Sequence, residues 1–210
     1  MSKHFFTAVV LSFFVVSARA ETVLEILEQV QANTKTVKTV QADFVQEKTM
    51  QVFSKPLVIK GSLYLQKPDK FSWRTKSPMR YVMVSRAGTI KQWDDESRQV
   101  QEFSLTKNPA FSTAFNQMQG WFSGDYVALQ KDYNIAVVSR KPLVLIFSPK
   151  PTMMAYGIIE NVKVSFRDDM RYLSAIEIKE KNSDVTVINF LHTKIDLPIN
   201  AKAWEVKSGV

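Results

Sequence analysis

From residue 40 onward the sequence is a succession of short strand patterns separated by turn-forming residues. The runs are rich in β-branched and aromatic residues, and Pro56, Pro68, Pro78 and Gly88 stand between them, as is typical of turns. Parallel strands need crossover connections of about a dozen residues or more, and most of these connections are shorter. The spacing therefore predicts an antiparallel sheet. The predicted strands, about eleven in number, are 42–50, 58–66, 70–75, 80–85, 89–94, 99–102, 133–139, 143–148, 160–167, 173–179 and 185–190.

Two helical patterns interrupt this succession of strands. Thr22 and Glu25 have the spacing of a capping box, and apolar residues recur at helical spacing over 23–30, which predicts a first helix packed on the sheet. Asn108 is a suitable N-cap, and Pro109 suits the first turn, of a second helix. The apolar face of this second helix comprises Phe111, Ala114, Phe115, Met118 and Phe122.

Several strands are apolar on both faces. The runs 81–84 and 143–147 contain almost no polar residue, although side chains alternate between the two faces of a strand. An antiparallel sheet usually buries one face and exposes the other to solvent. Two architectures remain open at this point: a sheet that curls around an apolar interior, or a packed sandwich without a cavity.

The first twenty residues have the pattern of a secretory signal peptide. Lys3 precedes an apolar run over 5–16, and Ala18-Arg19-Ala20 is a small-residue cleavage site. We expect removal of 1–20, leaving an exported, soluble chain with one domain over 21–210. The new N-terminal residue would be Glu21 and not a cysteine, so it could not be acylated on a thiol. Because the chain has no cysteine, disulfides are also excluded.

The charge of the chain does not indicate a nucleic-acid partner. The formal net charge is +8, and it falls to about +6 when Lys3 and Arg19 are removed with the signal peptide. The basic residues are scattered and do not form blocks, which excludes the usual electrostatic footprint of a nucleic-acid-binding surface.

The sequence offers little for catalysis. After removal of 1–20 the only histidine is His192, and the chain has no cysteine, no Gly-x-Ser-x-Gly elbow and no glycine-rich phosphate loop. The carboxylates of 94–96 lie between two strand patterns, where aspartate favours turns. We therefore predict a protein that is not an enzyme and binds no cofactor or metal. A small hydrolase that uses His192 or these carboxylates is the alternative.

One stretch resembles a known family. Gly-Ser-Leu-Tyr-Leu-Gln-Lys-Pro-Asp-Lys-Phe-Ser-Trp at 61–73, with Phe-Val-Gln at 44–46, resembles the LolA family of periplasmic lipoprotein carriers of Gram-negative bacteria. The family pattern there is Phe-x-Gln, Gly-x-Leu, Arg-Pro and Phe-x-Trp. Further matches are Pro78, the turn at 84–88, Trp93 with Asp94, and Ser-Pro-Lys at 148–150.

The resemblance implies both a fold and a function. The family fold is an incomplete antiparallel β-barrel closed by helices around an apolar cavity, so the resemblance favours the curled sheet. Members carry acylated lipoproteins through the periplasm, from an inner-membrane release complex to an outer-membrane receptor. The implied partners are therefore a lipoprotein or related lipid as cargo and two transient membrane partners, with the carrier as a monomer. The alternative is a lipid-binding sensor or accessory protein of a lipid-export pathway with the same fold.

The resemblance also directs attention to residues that could contact cargo. Phe71 and Trp73 lie two residues apart, on one face of a strand, and we predict that they line the cavity. Met153 and Met154, in a loop after two prolines, are the predicted gate. A place in the packed core is the alternative for each side chain. The other predicted lining residues are Leu63, Leu65, Val82, Val84, Trp93, Met118, Phe122 and Ile146.

Lys67 marks a departure from the family pattern. It occupies the position of the arginine that, in the family, helps to hold the cavity's lid shut through hydrogen bonds to backbone carbonyls. Lysine is a mobile point charge with three donors, whereas arginine is a planar fork. We predict that Lys67 replaces the arginine as a less specific latch.

Overall fold

Eleven strands form one continuous antiparallel sheet in the computed structural model, which describes residues 21–105, 107 and 119–206. The strand order is β6-β5-β4-β3-β2-β1-β11-β10-β9-β8-β7, so that neighbours in the sheet are mostly neighbours in the chain. The strands are β1 (Thr39–Thr49), β2 (Leu57–Gln66), β3 (Lys70–Ser77), β4 (Tyr81–Arg86), β5 (Thr89–Asp94), β6 (Val100–Ser104), β7 (Tyr133–Arg140), β8 (Leu143–Pro149), β9 (Ile159–Phe166), β10 (Leu173–Glu180) and β11 (Val185–Ile195).

Ring contacts show that the sheet curls strongly. Trp121 contacts Phe147 of β8, while the adjacent Phe122 contacts Phe71 of β3. These two strands are six positions apart in the sheet, which would separate them by about 29 Å if the sheet were flat. Because neighbouring Cα atoms are only about 3.8 Å apart, the two arms of the sheet must bend toward each other. In the described part of the chain, the two edge strands β6 and β7 do not pair with each other, so the barrel is incomplete.

Helix α1 (Val23–Lys35) covers part of the inner, concave face. Its capping box is present: the Thr22 backbone N–H donates to the Glu25 carboxylate (2.6 Å), and the Glu25 N–H donates to the Thr22 hydroxyl (3.2 Å). The apolar side of the helix enters the main core through Ile26, Leu27 and Val30. Residues 119–123 are also helical, and short 3-10 helices occupy Ala128–Lys131, Met154–Gly157 and Ala201–Trp204.

The sheet buries apolar side chains on both faces, for two different reasons. The concave face holds the main core, which includes Leu63, Phe71 and Phe122. The opposite, convex face carries a smaller cluster on β4 and β5, and the C-terminal segment Trp204–Val206 packs over it. The two-sided apolar pattern of β4 therefore reflects this cover as well as the concave interior.

The predicted fold class is confirmed, as is each predicted strand. The largest differences between predicted and observed bounds are at the ends of strands: β1 begins at Thr39, before the predicted 42, and β11 continues to Ile195, beyond the predicted 190. The predicted signal peptide, 1–20, and most of the second helix, including Met118, lie outside the described residues.

Candidate functional site

An apolar cavity of about 410 Å³ lies between the concave face and the helical residues 119–123. Strands from both arms of the sheet contribute to it, so it exists only because the sheet curls. Its volume is within the range of small-molecule and lipid sites in proteins. The lining side chains are mostly aliphatic and aromatic: Gln46, Lys48, Trp73, Met83, Trp121, Phe122, Ile176, Ile178, Thr186 and Ile188.

Three residues of the family-like motif form one contact set beside this cavity. Phe44 of β1 lies opposite Gly61 of β2, and its ring stacks on Trp73 of β3 with centroids 3.9 Å apart. A Cβ atom at Gly61 would overlap both the Phe44 ring and the carbonyl oxygen of Arg74. Glycine is therefore required here because an aromatic ring lies flat across the strand. The stack orients Trp73 toward the cavity.

Five of the ten predicted lining residues lie on the concave side of the sheet. Trp73 and Phe122 line the main cavity. Leu65 and Phe71 border a second, smaller pocket that also touches Phe122. Leu63, with no exposed surface, is part of the core. Met153, a predicted gate residue, packs against that core without lining either pocket.

Four predicted lining residues lie on the wrong face: Val82, Val84, Trp93 and Ile146. The register pairs Val82 with Arg74 and with Trp93, on the convex side, whereas Met83 pairs with Trp73 on the concave side. Leu145 and Phe147 enter the main core, so Ile146 between them faces outward. The prediction was wrong for these four because a strand that is apolar on both faces does not reveal which face points inward.

Four of the eight lining residues that the sequence did not single out come from the distant arm of the sheet. Ile176, Ile178 and Ile188 lie on β10 and β11, more than a hundred residues from Trp73 in sequence. On β10 the isoleucines alternate with Glu177 and Lys179, as on any half-buried strand, and this pattern carries no information about a cavity. Met83 was missed for a different reason, since only its register with Trp73 identifies its face.

Comparison with known proteins agrees with this geometry. The family described as "Outer membrane lipoprotein carrier protein LolA" matches residues 35–206. The chain belongs to the LolA family. An outer-membrane lipoprotein carrier protein of Azotobacter vinelandii is 24% identical over 148 residues, which cover 70% of this chain and 67% of that protein.

Solved structures share the LolA-like fold at low sequence identity. An uncharacterised conserved protein from Thermus thermophilus superposes with a TM-score of 0.56 at 6% identity, covering 86% of this chain and 94% of that one. MucB of Pseudomonas aeruginosa, in its complex with MucA, superposes with a TM-score of 0.54 at 9% identity. That match covers 87% of this chain, which spans about 60% of the length of the other chain. At these identities the likeness concerns the fold alone.

Lys67, the predicted latch, binds a backbone carbonyl in the structure. Its Nζ donates to the carbonyl oxygen of Thr34, near the end of α1, at 2.7 Å. Burial lowers the pKa of this ammonium below its usual value; the nearby Asp196 opposes that effect, and Lys35 adds to it. The contact joins the end of β2 to α1. A role as a latch stays a prediction.

Removing this contact should weaken the fold measurably. We expect Lys67→Met to lower the free energy of unfolding by about 1–2 kcal/mol, because the Thr34 carbonyl loses its charged donor. Lys67→Arg should retain most of the stability. Urea denaturation followed by circular dichroism measures both, with Lys60→Met, an exposed lysine on the convex side of β2, as the control. Equal stability of wild type and Lys67→Met would show that the hydrogen bond contributes nothing.

The predicted gate residues lie at one end of the sheet but do not line the cavity. Met154 has 79% of its surface exposed, in the loop between β8 and β9. Lys181 lies over the ring of Tyr156 in the same loop, 4.0 Å from its centroid. At this end of the sheet, Lys48 of the cavity wall pairs with Glu180 at 2.9 Å. The assignment of a gate to Met153 and Met154 stays a prediction.

The residues on which a hydrolase would depend are engaged in structural contacts. The Asp43 carboxylate accepts a hydrogen bond from the Ser62 hydroxyl (3.0 Å) on one oxygen and contacts Nδ1 of His192 (3.3 Å) with the other. In a catalytic triad the histidine stands between serine and carboxylate, whereas here the carboxylate stands between serine and histidine.

Two of the three carboxylates of 94–96, those of Asp94 and Asp95, are similarly engaged. The backbone N–H of Ser97 holds the pKa of Asp94 below its usual value, and the side chain of Arg80 does the same for Asp95. Both groups therefore remain ionised in a surface turn. Within the described residues, no group of three or more acidic or histidine side chains is placed to hold a metal ion. None of the helices in the described ranges combines the length and hydropathy needed to cross a membrane.

Proposed function

We propose that this protein is a periplasmic carrier that binds the acyl chains of a lipoprotein, or of a related lipid, in the concave cavity. The observation that carries the proposal is an apolar cavity of about 410 Å³ in a chain of the LolA family. The carrier would take its cargo from a donor complex in the inner membrane and release it to an acceptor in the outer membrane.

The chemistry of the cavity suits an acyl chain. Each methylene group removed from water contributes about 0.8 kcal/mol, so a lipoprotein's acyl chains need an apolar cover to cross an aqueous compartment. The walls supply isoleucine, methionine and aromatic surface, with polar atoms from Gln46, Lys48 and Thr186 at one end. Apolar contacts are non-directional, which suits a carrier that must also release what it binds.

Extraction of the purified protein tests this proposal directly. Protein isolated from the periplasm of a Gram-negative host should yield acyl lipid on solvent extraction and mass spectrometry. We expect Ile178→Trp, which fills part of the cavity, to carry less lipid. Val187→Trp, on the convex face of the neighbouring strand, should carry as much as wild type. Wild-type protein free of lipid, or equal lipid in all three, would contradict the proposal.

The same preparation separates the carrier from a binding module that signals to a partner. A carrier meets its donor and acceptor only transiently, so a single protein species should elute from size-exclusion chromatography. A second protein that remains bound at equal stoichiometry would instead indicate a sensor or accessory protein.

A further inference from the structure

A second pocket, of about 310 Å³, lies at the opposite end of the concave face from Lys48. Lys67 follows the last residue of β2, whereas Lys48 pairs with the first residue of that strand. Ten residues of extended chain separate these ends, or about 30 Å. The walls of this pocket combine apolar and basic side chains: Lys35, Leu65, Gln66, Lys67, Pro68, Lys70, Phe71, Gln119, Phe122 and Ser123.

A single aromatic ring stands between the two pockets. Phe122 lines both of them and is almost completely buried. Its ring contacts Phe71 on one side, with centroids 5.5 Å apart, and Trp73 on the other, at 6.4 Å. The two pockets therefore share one wall, the ring of Phe122.

Two of the three lysines at the second pocket, Lys35 and Lys67, have no carboxylate partner among the described residues and no aromatic ring beneath them. Neither Lys35 nor Lys67 forms an ion pair with any described residue. Asp196 influences Lys67 only at longer range. Its two carboxylate oxygens accept hydrogen bonds from the Lys38 backbone N–H and the Arg171 guanidinium. The third lysine, Lys70, lies over the ring of Trp204 on the convex side.

This arrangement leaves hydrogen-bonding capacity on Lys67 that no described protein group uses. Lys67 donates one hydrogen bond, to Thr34, and an ammonium has three donors. A half-buried cation without an anion is electrostatically unfavourable, and burial has already lowered its pKa. An anion bound between Lys35 and Lys67 would form charge-assisted hydrogen bonds and relieve the repulsion between them.

We propose that the Lys35–Lys67 pocket binds the anionic head group of an acyl ligand, whose chain passes Phe122 into the main cavity. The proposal rests on the proposed function and selects the related lipid as its cargo: an amphiphile with a carboxylate or phosphate at one end. Apolar walls at Leu65 and Phe71 cover the first carbons of the chain. The length of the concave face then holds one extended chain, with its charge at the α1 end.

Binding of a fluorescent fatty acid tests the head-group site. The probe is cis-parinaric acid, and its methyl ester is the neutral counterpart with the same chain. We expect the acid to bind the wild-type protein more tightly than the ester. Lys35→Gln and Lys67→Gln should each weaken binding of the acid about fivefold and leave the ester unchanged. Added salt should weaken binding of the acid and leave binding of the ester unchanged.

Matched variants keep the result interpretable. Lys60→Gln removes one exposed charge on the convex side of β2, seven residues along the chain from Lys67, and should bind the acid as wild type does. Lys35 is exposed, so Lys35→Gln tests the charge even if Lys67→Gln fails to fold. Palmitate and lysophosphatidylglycerol, as competitors, separate a carboxylate from a phosphate. The preferred competitor should lose potency in Lys35→Gln, and equal potency in wild type and variant would contradict the site.

Two outcomes overturn the proposal in distinguishable ways. If acid and ester bind equally and no lysine variant changes the affinity, the head-group site is wrong and the carrier function stands. If neither acid nor ester binds the wild-type protein, the cavity does not hold acyl chains, and the proposed function fails with it.

Discussion

Gly61→Ala is expected to lower the free energy of unfolding by about 3 kcal/mol. The added methyl group would meet the Arg74 carbonyl oxygen and the Phe44 ring, both closer than atoms can approach. The carbonyl belongs to the β-ladder and the ring is clamped against Trp73, so neither moves without loss of other contacts. Overpacking of this kind typically costs about 1–3 kcal/mol, and the double clash places this site at the upper end.

The control for this substitution is another glycine. Gly157, in a surface 3-10 helix, has no atom within 4 Å of the position of an added Cβ, so Gly157→Ala should leave stability nearly unchanged. Urea denaturation monitored by tryptophan fluorescence measures both variants. The emission of Trp73 should also change in Gly61→Ala, because the Phe44 ring no longer stacks in the same place. Wild-type stability of Gly61→Ala would show that the ring and strand adjust freely.

Ile188→Glu is expected to weaken binding of an uncharged acyl probe about tenfold or more. Ile188 lines the cavity on β11, and a carboxylate there faces apolar walls. Burying an unpaired charge is costly, so the new side chain either draws water into the cavity or remains protonated with a raised pKa. Both outcomes reduce the apolar surface offered to an acyl chain. Fluorescence titration with the methyl ester of cis-parinaric acid measures the affinity.

The adjacent residue provides a matched control for this effect. Val187 is also partly buried, but it faces the convex side, where it pairs with Glu177 and Glu47. Val187→Glu places the same charge on the same strand and should leave probe affinity within about twofold of wild type. Circular dichroism and thermal unfolding verify that both variants fold. Equal loss of affinity in the two variants would show that general destabilisation, and not the cavity, is responsible.

Local features of the fold were predictable from the sequence. The capping box of Thr22 and Glu25 is present in the structure, and the predicted strands are found between their turn residues. Caps and turns depend on hydrogen bonds and backbone angles within a few residues, so a short stretch of sequence contains the information. The motif residues Phe44, Gly61 and Trp73 also proved to be neighbours, since strands joined by short hairpins pair with each other.

The candidate site was predictable only in part. Trp73 and Phe122 line the cavity, whereas Val82, Val84, Trp93 and Ile146 face away from it. A one-residue change of register reverses the face of every side chain in a strand. The sequence of β4 does not reveal its inward face, because the C-terminal segment buries the other face as well.

The sequence by itself determined the helix cap, the succession of antiparallel strands and the family, because these depend on neighbours or on a contiguous motif. Only the tertiary structure decided where the cavity lies. Ile178 and Trp73 share a cavity because the sheet curls until its arms meet across residues 119–123. Lys35 and Lys67 converge on one pocket because α1 packs against the end of β2. Contacts between residues distant in sequence arise from packing of the whole chain, which no local pattern specifies.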